Sequence, residues 1–492
     1  MAYGQAREVI LVRLGEATLK GRTRDRFERA LLRNIREALR AEGISAPVVR
    51  GYGRIYVYAG RESLEPLRRV FGIWSLSPAL EVPFKTLDEL LEAAESFFKP
   101  AVTGKRFAVR ARRVGAEGFT SLDVARLLGA RLLQYSSGVD LSKPDVTVHV
   151  EVRGNKAYLY TEVVPAYGGL PVGTEGRVVA LISGGFDSAV AAWYMLKRGA
   201  EVHYLFCNLA GDLTKRYVLR VAKVLADRWS YGYRPRLYVV DFRPLISELR
   251  RTVDPGVLGV VLKRCMYRAA ERVARRVGAY AVVTGESLGQ VSSQTLKNLY
   301  AIDSAATMPV LRPLIGFDKE EIMRMAREIG VYEESSRVRE VCGVFSFHPR
   351  TACTLEEVLA NESRIAPQLL EKLLAGIEVY DLKSLDPGSL ETPDVDIDFV
   401  PEGSLVVDVR PPEKYAEWHI PGSINASMEE VLELAGRVAG GRPIVVVCDE
   451  GGLSREVAYS LRLLGHSAYS LRGGVRKLRE KSKGLRMSSQ AG

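Results

Sequence analysis

Cysteine is scarce. The chain of 492 residues holds five, with no closely spaced pair, so no disulfide framework holds the fold together. Long apolar runs are missing as well: no segment reaches the ~18 residues needed to cross a bilayer. The amino terminus, MAYGQAREVILVRLGEATLK, puts charge where a secretory signal would carry its apolar stretch. These absences lead us to expect a cytoplasmic protein with no membrane partner, whose cysteines begin as thiols. There is no internal repeat and no low-complexity block. With 47% hydrophobic residues, this composition excludes disorder and collagen-like structure. What remains is a globular chain long enough for three or four domains at roughly 100–200 residues each.

The formal net charge of +11 is unevenly spread. Residues 1–70 carry 15 Lys/Arg against 8 Asp/Glu, and residues 71–165 carry 12 against 11, so most of the excess lies in the first third. A basic third on a near-neutral body fits a module that docks a polyanion, because neutralising phosphates requires local positive charge. A solvated basic surface is the other reading.

Hydrophobic periodicity divides the chain. EVILVRL (8–14) reads as a strand, Thr23–Arg40 as an amphipathic helix with Phe27, Leu31, Ile35 and Leu39 on one face, and GYGRIYVYAG as a strand. This is an α+β module over residues 1–60. Residues 61–170 form a second α+β module, with helices at Leu87–Phe98 and Ser121–Tyr135 and strands at Phe107–Arg112, Val146–Val152 and Lys156–Val163. Over residues 171–383, VVALI, EVHYLF, RLYVVDF and YAVVTG are short apolar runs separated by helical segments, the pattern of a parallel sheet covered on both faces. Residues 384–403 are rich in Pro, Asp and Gly and read as a linker. A last α/β domain spans 404–485. The expected class is therefore α/β multidomain.

Chemistry concentrates first in VVALISGGFDSAVAAWYMLKRG (178–199). A buried strand runs into Ser183-Gly184-Gly185-Phe186-Asp187-Ser188 and then a helix. Adjacent glycines allow close backbone approach, Ser183 and Ser188 add hydroxyls, and the helix start adds free N–H groups, an arrangement suited to pyrophosphate. The Walker ending Gly-Lys-Ser/Thr is absent, so a nucleotide held here need not be cleaved between its β and γ phosphates.

SGGFDS resembles the signature of the PP-loop ATP pyrophosphatases, which cleave ATP between the α and β phosphates and adenylate a carbonyl oxygen. The resemblance widens with RLGEATLKGRTRDRFERALLRNI (13–35), FGIWSLSPA (71–79), TGESLGQVSSQTLKNLYAID (284–303), RPLIGFDKEEIMRMAREIG (312–330) and CGVF (342–345). Together these are similar to the tRNA 4-thiouridine synthetases, a family of tRNA sulfurtransferases, over essentially the whole chain. The resemblance implies a ferredoxin-like domain at 1–60 and a THUMP domain at 61–170, both binding tRNA, followed by a doubly wound PP-loop domain. It implies ATP and Mg²⁺ as cofactors, with ATP contacts at Leu181, Ile182, Ser183, Gly184, Gly185, Ser188, Phe206, Cys207, Lys263, Gly285 and Gln294. Asp187 would hold Mg²⁺ or polarise adenylation, and Lys319 would neutralise charge developing on phosphate; a helix cap and a solvated ion pair are the plain readings of these two.

Cys448 ends the strand PIVVV just before a helix, where backbone N–H groups lower a thiol pKa and stabilise a persulfide anion; a small buried hydrophobe is the plain alternative. Upstream, DVRPPEKYAEWHIPGSINA (408–426) resembles the rhodanese domain, whose Cys-x-x-Gly-x-x-Ser loop is matched by Cys448, Gly451 and Ser454. Leu453 stands where many rhodaneses carry arginine, and His419 reads as structural. By resemblance, Cys342 pairs with Cys448 in a redox disulfide during turnover. Cys342 and Cys353 lack the CxxC spacing of a metal or cluster site, so no metal-ligating set is assigned, and Cys207 and Cys265 read as packing residues.

The expected activity is ATP-dependent sulfur transfer to tRNA uridine 8, with a cysteine desulfurase as donor. Sulfur transfer to the thiazole sulfur-carrier protein of thiamine synthesis and a homodimer are further expectations. The rivals are a relay protein for thiamine alone, a PP-loop amidotransferase-type adenylating enzyme and a non-catalytic nucleic-acid-binding module.

Overall fold

The structure, a computed structural model, describes residues 6–16, 23–51, 53–115, 118–338, 349–428, 430–432 and 441–479. The chain divides into two compact units. One comprises residues 1–175, 196–200 and 228–233, and the other 176–195, 201–227 and 234–492.

The first unit is built on a nine-stranded sheet. Its strands are β1 (Arg7–Leu14), β2 (Val48–Gly51), β3 (Arg54–Val57), β4 (Ile73–Pro83), β5 (Arg106–Val114), β6 (Gly138–Val139), β7 (Val146–Arg153), β8 (Lys156–Tyr160) and β9 (Val164–Pro165). They lie in the order β2-β3-β1-β4-β8-β7-β5-β6, with β9 beside β4. Among the described residues four α-helices accompany them: α1 (Arg24–Ala41), α2 (Leu64–Arg68), α3 (Leu87–Val102) and α4 (Ser121–Leu133). The expected face of α1 is buried, with Leu31, Ile35 and Leu39 packed on Ile10 and Val12 of β1. Leu90 and Phe98 of α3 and Leu128 of α4 form a second core on Val148 and Val150. Both α3 and α4 start at a threonine whose hydroxyl accepts a backbone N–H, Thr86 from Glu89 and Thr120 from Asp123. GYGRIYVYAG, expected as one strand, instead spans the end of β2 and all of β3, an antiparallel pair that closes at Gly51 and Arg54.

Strand β4 is shared. It pairs antiparallel with β1 from Arg7 opposite Glu81 to Leu14 opposite Ile73, and its far end pairs with β8 through Leu80 opposite Leu159. A single strand thus joins the β1–β3 sheet to the β5–β8 sheet.

The second unit carries the doubly wound sheet expected from the sequence. Strands β10 (Arg177–Leu181), β11 (Glu201–Asn208), β12 (Arg236–Asp241), β13 (Ala281–Val283), β14 (Val310–Leu311) and β15 (Glu378–Asp381) run in the order β14-β13-β10-β11-β12-β15. All are parallel except β15, which pairs antiparallel with β12 at the edge. Helices α5 (Phe186–Lys197) and α6 (Asp212–Trp229) follow β10 and β11. Because β11 lies on one side of β10 and β13 on the other, the chain reverses direction across the sheet at β10. That opens a crevice at the carboxyl ends of β10 and β13.

The same unit holds a five-stranded parallel sheet of β16 (Asp396–Ile397), β17 (Leu405–Asp408), β18 (Ile424–Asn425), β19 (Ile444–Val447) and β20 (Ala468–Leu471), ordered β16-β20-β19-β17-β18. The stretch 384–403, expected as a linker, supplies β16, which pairs with β20, and buries Leu390 and Val395. No helix among the described residues is long and apolar enough to cross a membrane.

Candidate active site

The segment Ser183–Ser188 leaves β10 and enters α5 in the switch-point crevice. Gly184 adopts φ +82°, which favours glycine, and a Cβ there would crowd Val338 Cγ2 at 3.0 Å and Val218 Cγ2 at 3.1 Å. The two serines brace the turn. Ser188 Oγ accepts the Ser183 N–H at 3.2 Å and donates to the Gly185 carbonyl at 3.0 Å, and the Gly185 N–H reaches Ser183 Oγ at 3.4 Å. From the other side, Gly285 presses on this loop so closely that a Cβ would lie 2.6 Å from Asp187 C and Ser188 N.

Above the loop is a cavity of about 470 Å³, a volume suited to a nucleotide. Its walls include nine of the expected ATP contacts: Leu181, Ile182, Ser183, Ser188, Phe206, Cys207, Lys263, Gly285 and Gln294. Gly184 and Gly185 lie in the adjoining turn rather than in the wall. Phe206, Cys207 and Ile182 are buried and form an apolar slot, whereas Gln294 is buried with its Oε1 unpartnered among the described residues. An apolar slot with an unsatisfied amide at its wall, bounded by Ser183 and Ser188 of the turn, fits a nucleotide.

Asp187 and Lys319, distant in sequence, are brought together. Lys319 Nζ donates to both Asp187 oxygens at 2.8 and 3.0 Å, and Gln290 Nε2 donates to Asp187 Oδ2 at 2.9 Å. Lys319 begins a helix, Lys319–Ile329, whose capping box between Asp318 and Glu321 fixes its start. Among the described residues no group of three or more His, Cys, Asp or Glu side chains could hold a metal ion. A lone carboxylate fits Mg²⁺ only where phosphate and water supply the other ligands, as this cation commonly requires.

A buried charge network that sequence reasoning missed forms one wall. Glu286 Oε1 accepts from Lys263 Nζ at 2.7 Å. Its Oε2 accepts from Tyr267 OH at 2.6 Å, Arg312 Nε at 2.9 Å and Thr284 Oγ1 at 3.0 Å. Burial raises the Glu286 carboxyl pKa, but Lys263 and these donors outweigh it and hold the group at about 2. Arg312 also pairs with Asp303. The available signal was a glutamate directly after the buried strand YAVVTG, where an acidic side chain must find partners.

The second chemical group is Cys448, at the end of β19. It is 6% exposed. Its Sγ accepts the N–H groups of Gly451 at 3.2 Å and Ser454 at 3.4 Å, and lies 3.3 Å from Ser454 Oγ. Gly451 caps the following helix, Gly452–Leu463, with φ +90°. The sulfur therefore faces two convergent N–H donors and a hydroxyl at a helix start. Ser454 Oγ is itself held by Ser470 Oγ at 2.9 Å.

The other cysteines divide clearly. Cys207 is buried on β11, and Cys265 is buried on the helix Leu258–Val277, where desolvation pushes its thiol up to about 12. Cys353 is fully buried and its thiol is also raised by burial. His419 is exposed, and its ring stacks on Tyr415 with centroids 4.1 Å apart. Cys342 lies outside the described residues.

A PP-loop nucleotide domain joined to a rhodanese-like thiol domain defines a sulfurtransferase. Residues 173–366 match the family described as Thiamine biosynthesis protein (ThiI), 9–77 the ThiI ferredoxin-like domain, 84–162 the THUMP domain and 393–481 the Rhodanese-like domain. The tRNA sulfurtransferase of Pyrobaculum aerophilum is 44% identical over 473 residues, covering 94% of this chain and 96% of its own. The probable tRNA sulfurtransferase of Sulfurisphaera tokodaii is 42% identical, covering 76% of this chain and 100% of its own. A solved 4-thiouridine synthetase in complex with RNA and bound ATP has TM-score 0.67 and 33% identity, covering 76% of this chain and 99% of its own. The chain belongs to the tRNA sulfurtransferase family.

Proposed function

We propose that this enzyme converts uridine 8 of tRNA to 4-thiouridine, with ATP activating the base and Cys448 carrying the sulfur. The observation that carries the reading is the presence, in one unit, of a cavity bounded by the Ser183–Ser188 turn and a buried thiol that accepts two backbone N–H groups. The relatives named tRNA sulfurtransferase, and the 4-thiouridine synthetase with RNA and ATP, support it.

The C4 oxygen of uridine is a poor leaving group. Its attack on the α-phosphorus of ATP breaks the α–β bond, releases pyrophosphate and leaves C4 bearing AMP. The Ser183–Ser188 turn would bind the departing phosphates through N–H groups and hydroxyls, with Lys319 and Lys263 countering their charge. Leu181, Ile182, Phe206 and Cys207 would enclose the base, with Gly285 and Gln294 beside them. Mg²⁺ would neutralise phosphate charge when bound, with Asp187 the carboxylate that would hold it.

Cys448, loaded as a persulfide by a cysteine desulfurase, then attacks C4 through its terminal sulfur, and AMP departs. The Cys342 thiolate attacks Cys448 Sγ and breaks the sulfur–sulfur bond. The electron pair leaves with the 4-thiouridine sulfur, and a Cys342–Cys448 disulfide remains. In the other order, Cys342 attacks first and releases sulfide, which displaces AMP; the disulfide is the same. A thiol reductant must supply two electrons and two protons to reopen it. Val338, four residues before Cys342, supports this pairing. It packs on the core around Cys448 and also touches the Gly184 turn. The same persulfide would serve a thiazole sulfur-carrier protein.

The test supplies unmodified tRNA, Mg-ATP, a cysteine desulfurase and cysteine, with nucleosides read by mass spectrometry. The expected products are 4-thiouridine and AMP. Asp187→Ala loses both, whereas Cys448→Ala loses the thionucleoside and retains ATP-dependent activation. Thiolation that proceeds unchanged without ATP refutes the mechanism.

A further inference from the structure

Two consecutive residues of the helix Gly452–Leu463, directly after Ser454 of the thiol loop, do not face their own sheet alone. Glu456 is 1% exposed, and its carboxylate points at the first turn of α6. Oε1 accepts the Leu213 N–H at 2.8 Å, and Oε2 accepts the Thr214 N–H and hydroxyl, both at 3.0 Å. A helix start leaves such N–H groups without intrahelical partners and favours a negative charge beside them. The approach is close enough that a Cβ on Gly211 would come within 2.3 Å of Glu456 Oε1.

The turn that Glu456 holds also forms part of the nucleotide cavity. Leu209, Ala210 and Thr214 line that cavity. Within the turn, Asn208 Oδ1 accepts the N–H groups of Ala210 at 3.1 Å and Gly211 at 3.0 Å, and Asn208 Nδ2 donates to the Gly211 carbonyl at 3.0 Å. Asn208 thus fixes the turn from the β11 side and Glu456 from the α6 side. Arg455 reinforces the contact by donating to Tyr217 OH at 2.9 Å and to the Arg337 carbonyl at 3.1 Å. The first five residues of one helix therefore serve two sites, cradling the Cys448 sulfur and capping the helix that walls the nucleotide cavity.

We propose that Glu456, a residue of the sulfur-carrying domain, is a positioning residue for ATP, holding the Leu209–Thr214 wall of the nucleotide cavity by capping α6. The inference rests on the reading of that cavity as the ATP site. It makes ATP affinity depend on a docked sulfur domain, although no described residue of that domain lines the cavity.

The full-length enzyme and its Glu456→Ala and Glu456→Gln variants test this. ATP binding is measured by calorimetry, KM for ATP and kcat by thiolation, and Cys448 persulfide by alkylation and mass spectrometry. Losing a carboxylate that serves three donors is expected to weaken ATP binding and raise KM by about tenfold in Glu456→Ala. Glu456→Gln, which keeps one acceptor oxygen, is expected to recover part of that loss. Persulfide loading of Cys448 and kcat at saturating ATP are expected to hold in both variants. Wild-type ATP affinity in Glu456→Ala, or a loss of kcat with KM unchanged, overturns the proposal. If Glu456→Ala does not fold, the isosteric Glu456→Gln decides alone, and an unchanged KM in that variant is the refuting result. Wild-type enzyme that binds no ATP overturns the cavity reading, and this inference with it.

Discussion

Gly285→Ala isolates the contribution of loop position to catalysis. Gly285 lies two residues beyond β13, and its backbone needs no left-handed conformation, so alanine is compatible with the local φ. The added methyl would nevertheless sit 2.6 Å from Asp187 C and Ser188 N and 2.7 Å from Asp187 O. These are backbone atoms, which cannot rotate aside. Restoring an ordinary contact displaces the Ser183–Ser188 turn by roughly 0.8 Å, because a close-packed interior has no void to absorb the methyl. Misplacement on that scale lowers rate about 10²-fold, or about 2.7 kcal/mol in the barrier. Thermal stability should fall as well, by about 1–3 kcal/mol as for other overpacked sites. The assay is kcat/KM for ATP in tRNA thiolation, with calorimetric melting alongside. Gly316→Ala is the control, since a Cβ there meets nothing within 4 Å. Wild-type kcat/KM in Gly285→Ala would refute the argument that loop placement limits the reaction.

Two further perturbations follow from the buried charges. Glu286→Gln leaves Lys263 and Arg312 without their shared anion and should cost about 3–5 kcal/mol in urea unfolding, as expected when one partner of a buried pair is removed; an unchanged midpoint would count against the network. His203 is held neutral by burial, its pKa lowered to about 4, and its Nδ1 accepts the Arg236 N–H. The unfolded chain therefore takes up a proton first. The contribution of His203 is fully present above pH 6.5 and is lost as pH falls toward 4, a change of about 3 kcal/mol. Melting temperatures across that range should decline less steeply in His203→Gln, and an identical slope would remove His203 as the cause.

What the sequence disclosed was local. VVALI, EVHYLF and RLYVVDF were legible as strands because a parallel sheet covered on both faces demands continuous apolar runs. The Ser183–Ser188 and Cys448–Ser454 turns were legible because each packs its chemistry into six or seven consecutive residues at a strand–helix junction. Features set by distant pairing were hidden. Strand β4 contains Ser75, Ser77 and Pro78, and only its pairing with β1 and β8 makes it a strand. Asp396–Ile397 looked like linker until β20 provided an edge. Glu286 gathers partners from two other segments, the helix Leu258–Val277 and Arg312, and Glu456 reads in sequence as an ordinary helix-surface carboxylate.

Strand β4 also bears on how the amino-terminal part of the chain unfolds. It begins within the matched ferredoxin-like region and ends just before the matched THUMP region, and it is hydrogen-bonded to strands of both. Two recognisable sequence families are thereby tied into one cooperative foldon, because fraying either half strips partners from the same strand. Cutting the chain between the two families would leave an unpaired, aggregation-prone edge on each fragment rather than two soluble domains. Amide protons of β1, β4 and β8 should then exchange with a single opening free energy.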